Sequence, residues 1–398
     1  MMDTANEQTA ADAPAPHHPP PHRPLAGLVA IELGHSVAAP FAGRILADLG
    51  ATVIKIENPD GGDDTRKWGP PFWHGRSVAF GVYNCNKRSA AIDIKDEGQR
   101  SALRAFIVEK ADIVFQNMRH GLVGNYGLDA AILRAENPRL IYCNMGAFGA
   151  VGPLAHKPGY DPLMQAFGGI MSITGEVGHA PVRVGPSIVD MSTGMWAVIG
   201  ILAALNRRAA TGEGCEIDTS LYESTLCWIG SAAAGYLATD KVPERRGSEM
   251  AMIVPYKVYE AADGYLLIAA GNDNLFRRLA GAIDKSDWLA DPRFATNPGR
   301  VENREVVNAA LQELIATKPR AHWIARFDKA QVPCAELQTV DEVLAHPQSQ
   351  ALGMLQDTPD GQMSFMGTPL SFAGQRPQMQ SGPPELGADT GMVLGHKT

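Results

Sequence analysis

Short β-branched runs alternate with amphipathic stretches through the first half of the chain. Leu28-Val29-Ala30-Ile31-Glu32-Leu33 reads as a strand, a helix follows near Pro40 to Leu49, and Thr52-Val53-Ile54-Lys55-Ile56-Glu57 reads as the next strand. After a loop rich in Gly, Asp and Pro, Asp96 to Lys110 carries the apolar spacing of an amphipathic helix. Asp112 to Asn117 and Leu140 to Asn144 then return to the strand pattern. Such alternation predicts βαβ units and a parallel sheet, an α/β fold. Each predicted strand ends in small or polar residues: Gly34-His35-Ser36, Glu57-Asn58, Gln116-Asn117, and Asn144 through Gly149. Ligands of open α/β sheets bind beyond the carboxyl ends of the strands, so these four loops outline a candidate site.

The pattern changes near Tyr222. A helical stretch through Tyr236 leads to a predicted hairpin, Tyr256 to Glu260 and Tyr265 to Ala269, across Ala262-Asp263-Gly264. Helical segments follow between Asn274 and Ala330, and Pro333 to Leu337 and the Pro- and Gly-rich end after Pro347 read as extended chain. This shift predicts a second, smaller domain. The most apolar run, Met195 to Leu205, is shorter than the roughly 20 residues a membrane span needs and predicts a buried helix.

With 398 residues, 45% of them hydrophobic, the chain can bury a core of one large domain or two. A net charge of −8, without basic runs beyond Lys87-Arg88, Arg207-Arg208 and Arg245-Arg246, argues against nucleic acid as a partner and requires any anionic ligand to be held locally. Cys85, Cys143, Cys215, Cys227 and Cys334 are odd in number and widely spaced; they read as reduced thiols of a cytoplasmic protein, with no metal site. Residues 1–23 are rich in Ala, Pro and His, lack an apolar h-region, and predict a disordered, solvated tail bearing His17, His18 and His22, with no membrane partner. Dinucleotide fingerprint, P-loop, nucleophile elbow and H-E-x-x-H helix are all missing from the sequence.

The chemistry concentrates in Lys157-Pro158-Gly159-Tyr160-Asp161-Pro162-Leu163. Proline disfavours the helical region for its predecessor and suits the first helical position, so Asp161 is expected at an N-cap. It then either accepts a backbone N–H, as capping aspartates do, or stays ionised at the helix's positive end as a nucleophile. Asp190 ends the β-like run Ser187-Ile188-Val189 and opens the helix Met191 to Leu205, so capping explains it. Gly168-Gly169 and Gly146 through Gly149 either bring backbone N–H groups to an oxyanion or are turn and packing glycines.

From Pro24 to Gly395 the chain resembles the class III CoA-transferases, the formyl-CoA transferase and carnitine CoA-transferase (CaiB/BaiF) type. Pro24-Leu25-Ala26-Gly27-Leu28-Val29, Leu46 through Glu57, Asn84-Cys85-Asn86-Lys87-Arg88-Ser89, Asn137-Pro138-Arg139-Leu140-Ile141, Gly159-Tyr160-Asp161, Ala203-Ala204-Leu205 and Thr211-Gly212-Glu213-Gly214 carry the resemblance in this order. It implies a large Rossmann-like domain of residues 24–220 plus 335–398, a small α/β domain of residues 221–334, and two chains interlocked as a homodimer. It also implies transfer of CoA from an acyl-CoA, with succinyl-CoA a candidate, to a free carboxylic acid, with a dicarboxylate a candidate. Asp161 would be the catalytic nucleophile, passing through an aspartyl anhydride and an aspartyl-CoA thioester. CoA thioester would be substrate, with no permanently bound cofactor.

By the same resemblance His35, Val37, Ala38, Asn84, Asn86, Lys87, Asn117, Met118, Arg119 and Gly146 form the CoA site. Three departures stand out. The segment Arg246 to Met252, including Glu249, has one glycine where relatives carry a glycine-rich lid; Asn58 and Asn125 fall where relatives often carry arginine; and Tyr160 replaces the histidine of the family's racemases. A tyrosine with a pKa near 10 is a poor base for an α-proton, which counts against an α-methylacyl-CoA racemase or epimerase, the main alternative beside a non-catalytic acyl-CoA-binding homologue. Arg183, Arg245 and Arg246 are the candidate partners for a second substrate carboxylate.

Overall fold

Residues 23–395 are described by a computed structural model of the chain; the expectations for the histidines of the N-terminal tail lie outside the described residues. Six strands form the main sheet in the order Arg88–Ala91, Thr52–Glu57, Val29–Leu33, Ile113–Gln116, Ile141–Gly146, Glu216–Ser220. The first five run parallel, and the central strand is held from both sides, Ala30 opposite Val53 and opposite Ile113. Successive side chains of a strand face opposite ways, and the two faces have separate cores. Ala30 and Phe115 join Leu46 and Ile201 on one; Ile31 and Val114 join Leu103, Ile107 and Leu133 on the other. Burial on both faces is why these strands read as nearly continuous apolar runs.

The helices between them start where the sequence supplies caps. Asp96 accepts the Gln99 N–H at the head of Glu97–Lys110, and Asp129 the Ile132 N–H at the head of Ala130–Glu136. The helix Ala38–Asp48 follows the first strand directly, and its Gly43 has no room for a side chain: a Cβ there would meet Glu32 Oε2 at 2.3 Å.

The described chain falls into two compact units. One holds the residues through Met145, Gly194–Asp218, and those from Met354 on; the other holds Gly146–Thr193 and Thr219–Gly353. This division departs from the expected 24–220 plus 335–398, chiefly because residues 146–193 group with the second unit. The reason is long-range packing inside that unit. Phe148, Phe167 and Tyr222 form a ring cluster with centroids 5.3–6.0 Å apart, and the Tyr222 N–H donates to Ala147 O. The second unit also contains the expected hairpin, Tyr256–Ala261 and Gly264–Ala269, to which Cys334–Glu336 adds a third antiparallel strand. Phe276, Leu311, Trp323 and Phe327 pack the helices of this unit around it.

Other expectations are corrected. The helix expected from Tyr222 through Tyr236 is two, Leu221–Trp228 and Gly230–Thr239, and the end after Pro347 includes the short helices Pro347–Leu352 and Thr390–Leu394. No strand precedes Asp190, since one helix runs from Ile188 to Thr211. By length and composition it is the one described helix long and apolar enough to cross a membrane. Rather than being buried all round, it buries Ala197, Val198, Ile201 and Ala204 and leaves Met195, Trp196, Ile199 and Leu202 exposed. Apolarity on every side hides which face is covered.

Candidate active site

In the first unit the loop after the central strand is built on a buried ion cluster. Lys55 Nζ donates to Glu32 Oε1 (2.7 Å) and Gly34 O (2.8 Å) and pairs with Asp63 Oδ2 (2.8 Å). Burial pulls the Lys55 ammonium down, but Glu32 and Asp63 outweigh it and leave it above its ordinary value. Burial alone would push Asp63 up; Lys55 and Thr65 instead hold it at about 2. Asp63 Oδ1 then accepts the N–H of Ser36, a non-glycine residue at φ 65°, and so fixes the turn at His35-Ser36.

Lys87 belongs to this cluster, which corrects its expected role at a CoA phosphate. Its side chain is closed to solvent, and its three protons go to Glu32 Oε2 (2.7 Å), Pro40 O (2.7 Å) and Asn84 Oδ1 (2.9 Å). Burial, opposed by Glu32, lowers it to about 8. Asn84 is buried too, its amide donating to Phe80 O. Asn86, at φ 65°, donates to Asp48 Oδ1 and accepts from the N–H groups of Gln380 and Ser381, so it ties the C-terminal segment to this unit. All three side chains are thus engaged within the protein.

The remaining predicted residues are placed differently. Asn117 accepts the His35 N–H and donates back to His35 O, both at 2.9 Å, which joins the loops after two adjacent strands. Burial lowers the His35 imidazole, against the pull of Asp63. Val37 and Ala38 are buried at the start of the Ala38–Asp48 helix. Met118 is half-buried; Arg119 is exposed and lacks an ion pair among the described residues, and its charge reaches His35. Thus His35 and Asn117 come together, and the Arg119 charge is felt at His35. Asn58 is exposed and accepts the Asp60 N–H; Asn125 is exposed in a turn.

In the second unit Asp161 is the first residue of the helix Asp161–Phe167, with Tyr160 rather than Asp161 at the N-cap. It is 2% exposed and its carboxylate is fully engaged. Oδ1 accepts Gln165 Nε2 at 2.6 Å, and Oδ2 accepts the N–H groups of Val189 and Asp190 at 2.8 and 3.3 Å. Those amides open the helix Ile188–Thr211, where N–H groups lack intrahelical partners and a negative charge is favoured. Asp161 therefore caps a helix, but a different one from the helix it begins. A carboxylate closed to solvent with three donors on it is poorly placed to attack a substrate, contrary to the expectation for Asp161.

Asp190 has the complementary properties. It is the third residue of the long helix, only partly buried, and its carboxyl accepts no hydrogen bond from the described residues. Burial first, and the Asp161 charge second, push it up to about 7. Its expected capping role is therefore filled by Asp161. Gln165, fully buried and one helical turn after Asp161, is the residue sequence reading missed; the i, i+4 spacing was its only signal.

The glycines resolve toward packing. A Cβ on Gly168 would lie 2.1 Å from Thr225 Cγ2, and Gly169 and Gly149 take φ values of 91° and 102°. Gly146 has open surroundings, with Gly149 N the nearest atom to an added Cβ at 3.7 Å. The atypical segment 246–252 is tied down by Glu249, which accepts from Lys257 Nζ and Arg304 Nη1 at 2.9 Å and from Asn308 Nδ2 at 3.1 Å. Arg183 donates to Val184 O and Gly185 O, Arg245 to His179 O, and Arg246 lies 3.7 Å from Glu244.

Comparison with known proteins gives a consistent picture. The family model for "CoA-transferase family III" matches residues 25–390. The chain is 39% identical to the acetyl-CoA:oxalate CoA-transferase of Acetobacter aceti, over 92% of this chain and 94% of that one. It is 37% identical to the succinate–glutarate CoA-transferase of Agrobacterium fabrum, over 93% and 95%. A crystal structure of a CaiB/BaiF family protein from Brucella suis superposes with a TM-score of 0.83 at 39% identity, covering 94% of this chain and 99% of that one.

Proposed function

The chain belongs to CoA-transferase family III, and on that premise we propose that it moves CoA between carboxylic acids with Asp190 as the attacking group. The observation that carries this choice is the contrast between two neighbouring carboxylates: Asp161 accepts three hydrogen bonds, and Asp190 accepts none from the described residues. Burial, and after it the Asp161 charge, raise the basicity of Asp190, and with no donor on its oxygens among the described residues they stay reactive once ionised.

The reaction balances without metal or nucleotide. An Asp190 oxygen attacks the thioester carbonyl, the C–S bond breaks, and CoA leaves as thiolate, giving a mixed anhydride. The thiolate attacks the Asp190 carbonyl carbon, the anhydride C–O bond breaks, and the donor acid departs as carboxylate. An acceptor carboxylate attacks the resulting aspartyl-CoA thioester, expelling thiolate; thiolate then takes the acceptor's carbonyl and frees Asp190. Thioester energy is conserved throughout. Water has to be excluded, since it would hydrolyse the anhydride.

Dicarboxylates are the favoured acids, because oxalate and glutarate are named as substrates of the relatives above. His35, Asn117 and Arg119 are proposed to meet the CoA moiety, Arg119 as the cation for a phosphate. The exposed apolar side of the long helix, Met195, Trp196, Ile199 and Leu202, favours a second copy of the chain as its cover. Sedimentation at micromolar concentration tests that: a monomer sinks the dimer.

Intact mass after adding succinyl-CoA, with and without hydroxylamine, tests the mechanism. A hydroxylamine-sensitive CoA adduct is expected in wild type and absent in Asp190→Ala; an adduct that survives there returns the role to another carboxylate. Incubation with glutarate or oxalate then reads CoA exchange. Loss of chirality at the α-carbon without exchange would indicate a racemase, and neither reaction a binding protein.

A further inference from the structure

An aspartate in the first turn of a helix ordinarily folds its carboxylate onto one of the free N–H groups there. Asp190 does not, and the cause is visible. The first N–H groups of its helix already have acceptors: those of Val189 and Asp190 donate to Asp161 Oδ2, and that of Ile188 donates to Pro186 O. Asp161 is aimed at them by Gln165, whose amide orientation is fixed in turn: Gln165 Oε1 accepts the Val184 N–H at 2.8 Å, so its NH2 faces Asp161 Oδ1. No cation pairs with Asp161 among the described residues, so its charge is balanced by these three dipoles alone. Among the described residues Asp161 is also the one charged group that acts on Asp190.

We propose that Gln165 and Asp161 are positioning residues for the nucleophile: Gln165 holds Asp161 against the amides of Val189 and Asp190, which denies those donors to the Asp190 carboxylate and sets a fixed negative charge beside it. The device rests on the reading of Asp190 as the attacking group. It has two separable parts, occupation of the amides and the presence of charge, and two substitutions divide them. Asp161→Asn keeps an oxygen for the amides and removes the charge. Asp161→Ala vacates the amides, and the Asp190 carboxylate then collapses onto them.

The test is the pH dependence of aspartyl-CoA formation from succinyl-CoA in single turnovers. Asp161→Asn is expected to move the acid limb down by about one pH unit, the scale on which neighbouring carboxylates perturb each other. Asp161→Ala is expected to move it down as well and to slow adduct formation by about a hundredfold, as a misplaced reacting group does. Should Asp161→Ala fail to fold, the pair Asp161→Asn with Gln165→Glu serves instead. It keeps the bonds to the Val184, Val189 and Asp190 N–H groups and the bond between the two side chains, the new amide donating to the new carboxylate, gives up the 3.5 Å bond from Gln165 Nε2 to Val184 O, and moves the charge one side chain away, so its acid limb also falls. An adduct surviving in Asp190→Ala sinks the nucleophile reading and this device with it. Loss of the adduct there, with acid limbs unmoved in the Asp161 variants, leaves the nucleophile standing and overturns the device alone.

Discussion

Lys87 Nζ lies 2.7 Å from Glu32 Oε2, and neither side chain is open to water. Removing one member of such a pair leaves a buried, uncompensated charge and typically costs about 3–5 kcal/mol. Lys87→Met is therefore expected to lower the chemical denaturation midpoint sharply. A variant as stable as wild type, with only a raised KM for acyl-CoA, would return Lys87 to the phosphate site.

The Asp190 carboxyl has to be ionised to attack, and it is pushed up to about 7. The expected kcat/KM therefore falls as pH drops through about 7, rather than near the ordinary carboxylate range. A rate flat down to pH 5 would be incompatible with this.

The same shift links to stability. A carboxyl whose folded-state value lies above the unfolded one, near 3.9, stabilises the fold below the unfolded value and loses that contribution as pH rises through about 7. Asp190→Asn removes the penalty. Its melting temperature is expected to exceed that of wild type at pH 8 and to match it at pH 4; an equal difference at both would show that Asp190 titrates normally.

Gly168 has Thr225 Cγ2 where its Cβ would be. Gly168→Ala is expected to destabilise by about 1–3 kcal/mol, the usual cost of overpacking. Adding Thr225→Ala should recover part of it, and a thermal unfolding cycle of the two single variants and the double reads the coupling directly.

Glu249 is held below its ordinary value because, although burial acts the other way, Lys257 and Arg304 donate to it. Arg304 also donates to Met250 O and Ala251 O, so the carboxylate anchors the whole segment 246–252. Glu249→Ala is expected to speed proteolytic nicking there several-fold, as loosened loops are cut more readily. Unchanged nicking would mean the backbone bonds, such as Met250 N–H to Tyr256 O, suffice.

The α/β class, four of the six strands of the main sheet, the hairpin and the family were legible in the amino-acid sequence, because strand and helix periods, proline and capping residues are local signals and the motifs are contiguous; the helix Val78–Asn84 and the strand Arg88–Ala91 lay in a stretch read as loop, and Glu216–Ser220 was missed as well. Tertiary structure decided the rest. Asp161 and Asp190 look alike in sequence, each an aspartate at a helix start; only the fold shows that one oxygen of Asp161 accepts amides 28 and 29 residues away. Lys87 reads as an exposed cation until Glu32, 55 positions earlier, is found against it. Residues 146–193 join the second unit through packed rings and a backbone hydrogen bond that no periodicity records. Solvation and donor supply determine what a carboxylate or an ammonium can do, and both are set by neighbours remote in the chain.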